Sequence, residues 1–377
     1  MNNIDLNKYI KKRSIHHFGE THKNIKDKKF NFFIVIPCYN ELNYIFETLK
    51  SINEQNQKLL NETLVIVVIN NSKDEKESVK NNNQKTYQKL VEKNYNYNFI
   101  AIDAFSTDNA IPNKLAGVGY ARKIGLDFSL NYILNEESLL CSLDADTLIN
   151  KNYLKKIKEN FKKEINVAVI NFKHQKSQNP IIEEGIRKYE KSIKKIAKEI
   201  ELTGSPYGYV SMGSTIVCNV KSYIACGGMN TKAATEDFYF LQALAKYTKI
   251  HKINELLVFP SSREENRVYL GTGFRMDEYL KNGLFKNLDF KKESFLEIKK
   301  IIQIINQDQN CEYDFIIKEM NKKINKKSIQ FLIDKDFKNV WNKFKKNSKN
   351  KKQFMLFFHQ WFDALSIIKL LKNLNGF

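Results

Sequence analysis

Residues 64–69 read Leu-Val-Ile-Val-Val-Ile and stop at Asn70-Asn71-Ser72. The run is continuously apolar rather than alternating, the pattern of a strand covered on both faces, as in parallel sheets. Upstream, residues 30–37 (FNFFIVIP) form a similar run, followed by Cys38-Tyr39-Asn40-Glu41 and by apolar residues at helical spacing: Leu42, Ile45, Phe46, Leu49 and Ile52. Downstream, residues 98–102 end at Asp103, residues 116–130 read as a helix, residues 138–143 (SLLCSL) stop at Asp144-Ala145-Asp146, and residues 151–161 are again helical. Strands alternating with helices predict right-handed βαβ units and an open, mostly parallel α/β sheet flanked by helices. Ligands of such sheets bind at the carboxyl ends of the strands. Pro37, Tyr39, Glu41, Asn70, Asp103, Asp144 and Asp146 all lie at or just past strand ends, so residues distant in sequence are expected on one rim.

From residue 167 the pattern changes to a strand (167–172), a charged helix (181–202), a Gly-rich stretch (204–213), a strand (214–218), and Cys226-Gly227-Gly228-Met229. A helix is expected after Thr235-Glu236-Asp237, and a polar loop at 261–275 follows Pro260. The remainder is Lys-rich, with helical periodicity at 295–305 and 354–371. The expected division is a basic N-terminal extension (1–29), an α/β domain (30–275) and a helical C-terminal region (276–377).

The chain has 377 residues, 42% hydrophobic and 12% aromatic, enough for a large core and against a disordered chain. Five scattered cysteines without a CxxC pair argue against a disulfide framework or zinc knuckle and for reduced thiols in a cytoplasm. Lys and Arg number 62 against 42 Asp and Glu, a formal charge of +20, which calls for an anionic partner or a solvated basic surface. The leader lacks an apolar central run, and residues 354–371 are interrupted by His359, Gln360 and Asp363, short of the ~18 apolar residues of a spanning helix. The expected location is the cytoplasm, either free or peripheral at the inner face of a membrane, with residues 343–352 (KFKKNSKNKK) and the amphipathic segment after them as the contact. Packing of that segment on the chain itself is the alternative.

Asp144-Ala145-Asp146 sets two hard carboxylate ligands on one turn, suited to Mg²⁺ or Mn²⁺ that completes its shell with phosphate and water. Taken alone the triplet also fits an ordinary surface turn; its place after an apolar strand favours the metal. Thr235-Glu236-Asp237 fits a capped helix start. It equally fits a carboxylate held beside the apolar rings of Phe238, Tyr239 and Phe240, where desolvation would suit it to accept a proton.

Together these motifs resemble an inverting family-2 glycosyltransferase of the GT-A fold. The resemblance rests on residues 33–41 (FIVIPCYNE), 119–125 (GYARKIG), 143–147 (LDADT), 226–230 (CGGMN) and 235–241 (TEDFYFL), in the family's order over about 30–250. It implies that Pro37, Tyr39, Glu41, Asn70, Asp103, Arg122 and Asp144 bind a nucleotide-diphosphate sugar. It further implies that Asp144 and Asp146 hold Mg²⁺ or Mn²⁺, and that Asp237 is the general base. Gly227, Gly228, Glu236, Arg263 and Arg267 would serve the diphosphate or a glycan or lipid-linked acceptor. Asn70-Asn71-Ser72 departs from the family's Asp-Asp-Gly-Ser and leaves the donor open, and the Gln-x-x-Arg-Trp motif of processive synthases is absent. The alternatives are a nucleotidyltransferase of similar fold, though 37–41 has neither glycine nor cation, and a non-catalytic nucleotide- or nucleic-acid-binding relative; carboxylates at the strand ends speak against nucleic acid.

Overall fold

The computed structural model describes residues 3–16, 18–22, 25, 28–263, 271–307 and 311–377. They form two compact units, one of residues 1–186 and 211–277, the other of residues 187–210 and 278–377. The boundary expected after 275 thus falls after 277. Residues 187–210, expected in the α/β domain, lie with the C-terminal helices, and the described part of the N-terminal extension belongs to the first unit.

The first unit runs α1 (Asn3–Arg13), β1 (Gly19–His22), β2 (Phe32–Cys38), α2 (Ile45–Asn53), α3 (Gln57–Asn61), β3 (Thr63–Asn70), α4 (Glu77–Glu92), β4 (Asn98–Ala104) and α5 (Val118–Ser129). It continues with β5 (Leu139–Ser142), β6 (Leu148–Ile149), α6 (Tyr153–Phe161), β7 (Val167–Phe172) and the start of α7 (Pro180–Leu202). After the second unit's excursion come β8 (Ile216–Asn219), α8 (Val220–Ala225), α9 (Glu236–Tyr247), β9 (His251–Phe259) and the start of α10 (Thr272–Asn282).

One sheet carries the order β1-β4-β3-β2-β5-β8-β7-β9-β6. It is parallel through β4-β3-β2-β5 and again at β7-β9, while β1, β8 and β6 add antiparallel pairings. This is the expected GT-A α/β architecture. Every residue of β2 and β3 is buried, as continuous apolar runs require when helices cover both faces. Gly125 of α5 permits close packing: a Cβ there would stand 2.4 Å from Val35 Cγ1.

The N-terminal segment, read from sequence as a basic extension, is tied into the first unit. β1 extends the sheet antiparallel to β4. From α1, Tyr9 donates to Asp127 Oδ1 at 2.8 Å, and Asp127 also accepts from Tyr223 at 2.7 Å and pairs with Lys123 at 2.9 Å. This buried network ties α1, α5 and α8 together.

The second unit is helical: the rest of α7, then α11 (Lys292–Gln307), α12 (Tyr313–Lys323), α13 (Lys326–Asp334), α14 (Phe337–Asn347), α15 (Lys351–Trp361) and α16 (Ala364–Asn375). Phe337, Trp341, Phe354, Phe358 and Phe362 fill its core. Trp341 donates its indole N–H to Cys311 O at 3.2 Å, and burial lowers the pKa of His359 to about 4. The amphipathic segment expected at 354–371 is two helices bent by 62°. Asp363 starts the second by accepting Ser366 N–H at 3.1 Å, a side-chain cap that competes with helix continuation. Among the described residues no single helix is long and apolar enough to cross a membrane.

Candidate active site

The site forms where β2, β3 and β5 end. Asp144-Ala145-Asp146 turns off β5 and is tethered through its backbone: Thr48 Oγ1 donates to Ala145 O at 2.8 Å and Gln175 Nε2 to Asp146 O at 2.9 Å. The carboxylates are therefore held by α2 and by the segment after β7, not by the turn alone.

Arg122, on α5, is the centre of a first cluster and is 1% exposed. Its Nη2 lies 2.7 Å from Asp144 Oδ1 and 3.4 Å from Glu236 Oε1, and its Nη1 donates to Ser142 Oγ. Gly213 makes room for the guanidinium, since a Cβ there would stand 2.5 Å from Nη2. Burial opposes the charge, but the fields of Asp144, Glu236 and Asp237 outweigh it and hold Arg122 protonated above its ordinary value.

Asp144 and Glu236 pair with that one guanidinium, and Asp237 feels its field. Burial foremost, then the charge of Asp237, pushes Glu236 up to about 7 against the pull of Arg122. Asp237 is likewise raised, by burial, against the Phe238 amide and Arg122. The amide of Phe238 donates to Asp237 Oδ1 at 2.7 Å, while Asn230 Nδ2 donates to Glu236 O at 2.8 Å and holds the helix start. Thr235 precedes them at φ 62°, a left-handed conformation that costs a β-branched residue about 1–2 kcal/mol. The helix starts where expected, with Thr235 at the N-cap position and Glu236 and Asp237 in the first turn, but the Thr235 hydroxyl donates to Ala234 O at 2.6 Å rather than capping it.

The second cluster adjoins the first through the 144–146 turn. Arg263 joins Asp146, Nε to Oδ2 at 3.1 Å, and pairs through Nη2 with Glu41. Its guanidinium lies 4.1 Å from the Tyr44 ring centroid. Tyr39 is half-buried in the turn after β2, where Asn40 takes φ 58° and donates its N–H to Asn83 Oδ1 at 2.9 Å. Asn83 also donates to Asn70 O and Asn71 Oδ1, so an amide network joins the ends of β2 and β3. Among the described residues the buried Asn70 Oδ1 meets no hydrogen-bond partner.

Not every expected residue joins these clusters. Pro37 lies within β2, in register with Val68. Asp103 is committed to its own turn, accepting from Phe105 N, Ser106 N, Ser106 Oγ and Asn109 Nδ2; these bonds hold its pKa below the usual carboxylate range despite burial. Gly227 and Gly228 close α8 at φ 89° and 81° and are covered by α1, where a Cβ would meet Arg13 and Tyr9. Arg267 lies outside the described residues. Ser142, Gly213, Asn230 and Tyr44 were not singled out as site residues from the sequence; Gly213 carried a signal in its Gly-rich stretch and Asn230 in the 226–230 motif.

As to a metal, no group of three or more His, Cys, Asp or Glu side chains among the described residues is arranged to hold one alone. The residues nonetheless fit a hard cation shared with a phosphate ligand. Asp144 and Asp146 offer carboxylate oxygens on a fixed turn, and Asp144 and Glu236 outnumber the one guanidinium they pair with, which favours added positive charge.

The α/β sheet, with tethered carboxylates at its carboxyl rim, is of the GT-A fold class. The family described as Glycosyl transferase family 2 matches residues 33–215, and this segment belongs to that family. Solved structures to which the chain is similar include S. aureus TarS 1–349 in complex with UDP-GlcNAc, at 14% identity over 88% of this chain and 91% of that one, TM-score 0.47. Another is the mannosyltransferase PcManGT from Pyrobaculum calidifontis with GDP-Man and Mn²⁺, at 11% identity over 95% and 93%, TM-score 0.43. A third is glucosyl-3-phosphoglycerate synthase from Mycobacterium tuberculosis with Mn²⁺ and UDP-Glc, at 9% identity over 73% and 79%, TM-score 0.38. No curated protein matches the chain.

Proposed function

We propose that the chain moves a single sugar from a nucleotide-diphosphate donor to a glycan or lipid-linked hydroxyl, with inversion and with Asp237 as general base. The observation that carries the reading is the pairing of Asp144 and Glu236 with Arg122, with Asp237 next to Glu236 at the start of α9, within a family 2 domain. Asp237 is raised in proton affinity and has one oxygen fixed by the Phe238 amide, a suitable state for a carboxylate that accepts a hydroxyl proton. The hydroxyl oxygen bonds to the anomeric carbon as the bond to the diphosphate breaks, its electron pair leaving with the diphosphate and the proton passing to Asp237. A single displacement inverts the anomeric configuration.

Asp144 and Asp146 would hold Mg²⁺ or Mn²⁺, which when bound stabilises the charge gathering on the leaving diphosphate. Tyr39, Glu41 and Asn70 would meet the nucleotide. The unpartnered Asn70 Oδ1 supports this, because a buried acceptor left unmade costs about 1–3 kcal/mol, which a donor N–H or hydroxyl would recover. Calorimetric titration of nucleotide-diphosphate sugars with and without Mn²⁺ tests the reading through one donor bound in a cation-dependent way.

Peripheral contact with anionic lipid on the cytoplasmic side belongs to the same proposal. Lys343, Lys346, Lys349, Lys351 and Lys352 are exposed around the α14–α15 junction, and Leu356, one turn further, is 46% exposed. The five free thiols fit a reducing compartment. The chain should sediment with phosphatidylglycerol vesicles at low salt, be released at high salt, and ignore phosphatidylcholine vesicles; equal behaviour with both lipids contradicts the contact.

A further inference from the structure

Arg263 reaches the site from the segment after β9. Its planar guanidinium spans two carboxylates, Glu41 through Nη2 and Asp146 Oδ2 through Nε at 3.1 Å, and rests on the Tyr44 ring at 4.1 Å. Each partner is fixed. Thr48 and Gln175 hold the turn of Asp146, the Glu41 side chain is 8% exposed, and Tyr44 N–H bonds to Glu41 O at 3.0 Å. Two carboxylates and an aromatic face make a good seat for an organic cation, and here the cation is the chain's own.

The same Asp146 is one of the two carboxylates proposed to hold a divalent cation, so this inference rests on the metal-assisted reading above. A cation at Asp146 and a guanidinium bonded to Asp146 Oδ2 compete for the same negative charge and repel one another at close range. We infer that Arg263 is an internal competitor that sets cation affinity at Asp146: the divalent cation loads as the guanidinium leaves. Binding free energies are reciprocal, so a ligand that draws Arg263 away raises cation affinity, and a nucleotide diphosphate has the charge and the bidentate oxygens to do so. Ordered or cooperative loading of cation and donor follows from one arginine.

The test is Mn²⁺ titration of the full chain without nucleotide, following the electron paramagnetic resonance signal of free Mn²⁺. Arg263→Gln should bind Mn²⁺ about 5- to 10-fold more tightly than the parent, the gain expected when a partly buried ion pair no longer competes. Tyr44→Leu, at a side chain exposed enough to be replaced without disturbing the fold, should give a smaller tightening of about 2-fold by loosening the seat. Asp146→Asn should lose the binding. If Asp146→Asn loses Mn²⁺ while Arg263→Gln and Tyr44→Leu bind as the parent does or more weakly, competition is wrong and the metal reading stands. If Asp146→Asn binds Mn²⁺ like the parent, the metal reading at Asp146 fails and this inference fails with it.

Discussion

Replacing Asp237 by Asn should lower kcat for sugar transfer by about 10²–10⁴-fold, the range a positioned general base contributes, while donor affinity stays within about 2-fold. The amide keeps the shape of the side chain and an oxygen for the Phe238 N–H, which now lies 2.7 Å from Oδ1. It cannot take a proton at neutral pH, so the loss falls on the chemical step. Glu236, its neighbour in sequence, does not substitute: its side chain is 7% exposed and turned to Arg122 at 3.4 Å. Glu236→Gln should therefore act through Arg122 and donor affinity rather than through proton transfer. Steady-state kinetics of both variants checks this, and a kcat for Asp237→Asn within 3-fold of the parent would remove Asp237 from the base role.

Arg122→Met should be the most destabilising single change in the site, by about 3–5 kcal/mol, with activity lost as well. The arginine is 1% exposed and its guanidinium is the shared counter-charge of Asp144 and Glu236. Methionine fills much of the volume but leaves those carboxylates facing Asp237 uncompensated. Pairing Arg122→Met with Glu236→Gln should restore part of the loss, because the second change removes one of the stranded charges. Chemical denaturation of the two single variants and the double variant measures the coupling. Additive losses would show that Glu236 and Arg122 act independently and that the cluster is not a unit.

The central sheet was legible because its signal is local. Residues 64–69 and 30–37 are apolar enough to need cover on both faces, and 167–172 is bounded in the structure as in the sequence reading. β9 was missed because it alternates poorly: Lys252, Asn254 and Glu255 are exposed and register shifts interrupt its pairing with β7. α1 and β1 were missed because their attachment is long-range, through Tyr9 to Asp127 and through the partner strand β4. No period within residues 1–29 announces such contacts.

The candidate site divides in the same way. Asp144, Asp146, Glu236 and Asp237 lie in short motifs next to apolar runs, which made them readable as candidates. Asp103 shows the limit of strand-end logic: it ends a strand, yet both its oxygens close the turn at 103–109. Gly227 and Gly228 show another, since a glycine pair signals left-handed backbone whether it admits a substrate or a tyrosine from α1. Arg263 was picked out as a cation able to reach a diphosphate. Its present partners, Asp146 and Glu41, stand 117 and 222 residues away in sequence and follow only from the folded chain.

The most direct test of sugar transfer is calorimetric titration of a panel of nucleotide-diphosphate sugars into the purified chain, with and without Mn²⁺, alongside Asp146→Asn and Asp237→Asn. One donor should bind in a Mn²⁺-dependent way, more weakly in Asp146→Asn and unchanged in Asp237→Asn, with transfer or hydrolysis of the sugar lost in the latter. Failure of every nucleotide sugar to bind, with Mn²⁺ or without it, would rule out sugar transfer from a nucleotide donor.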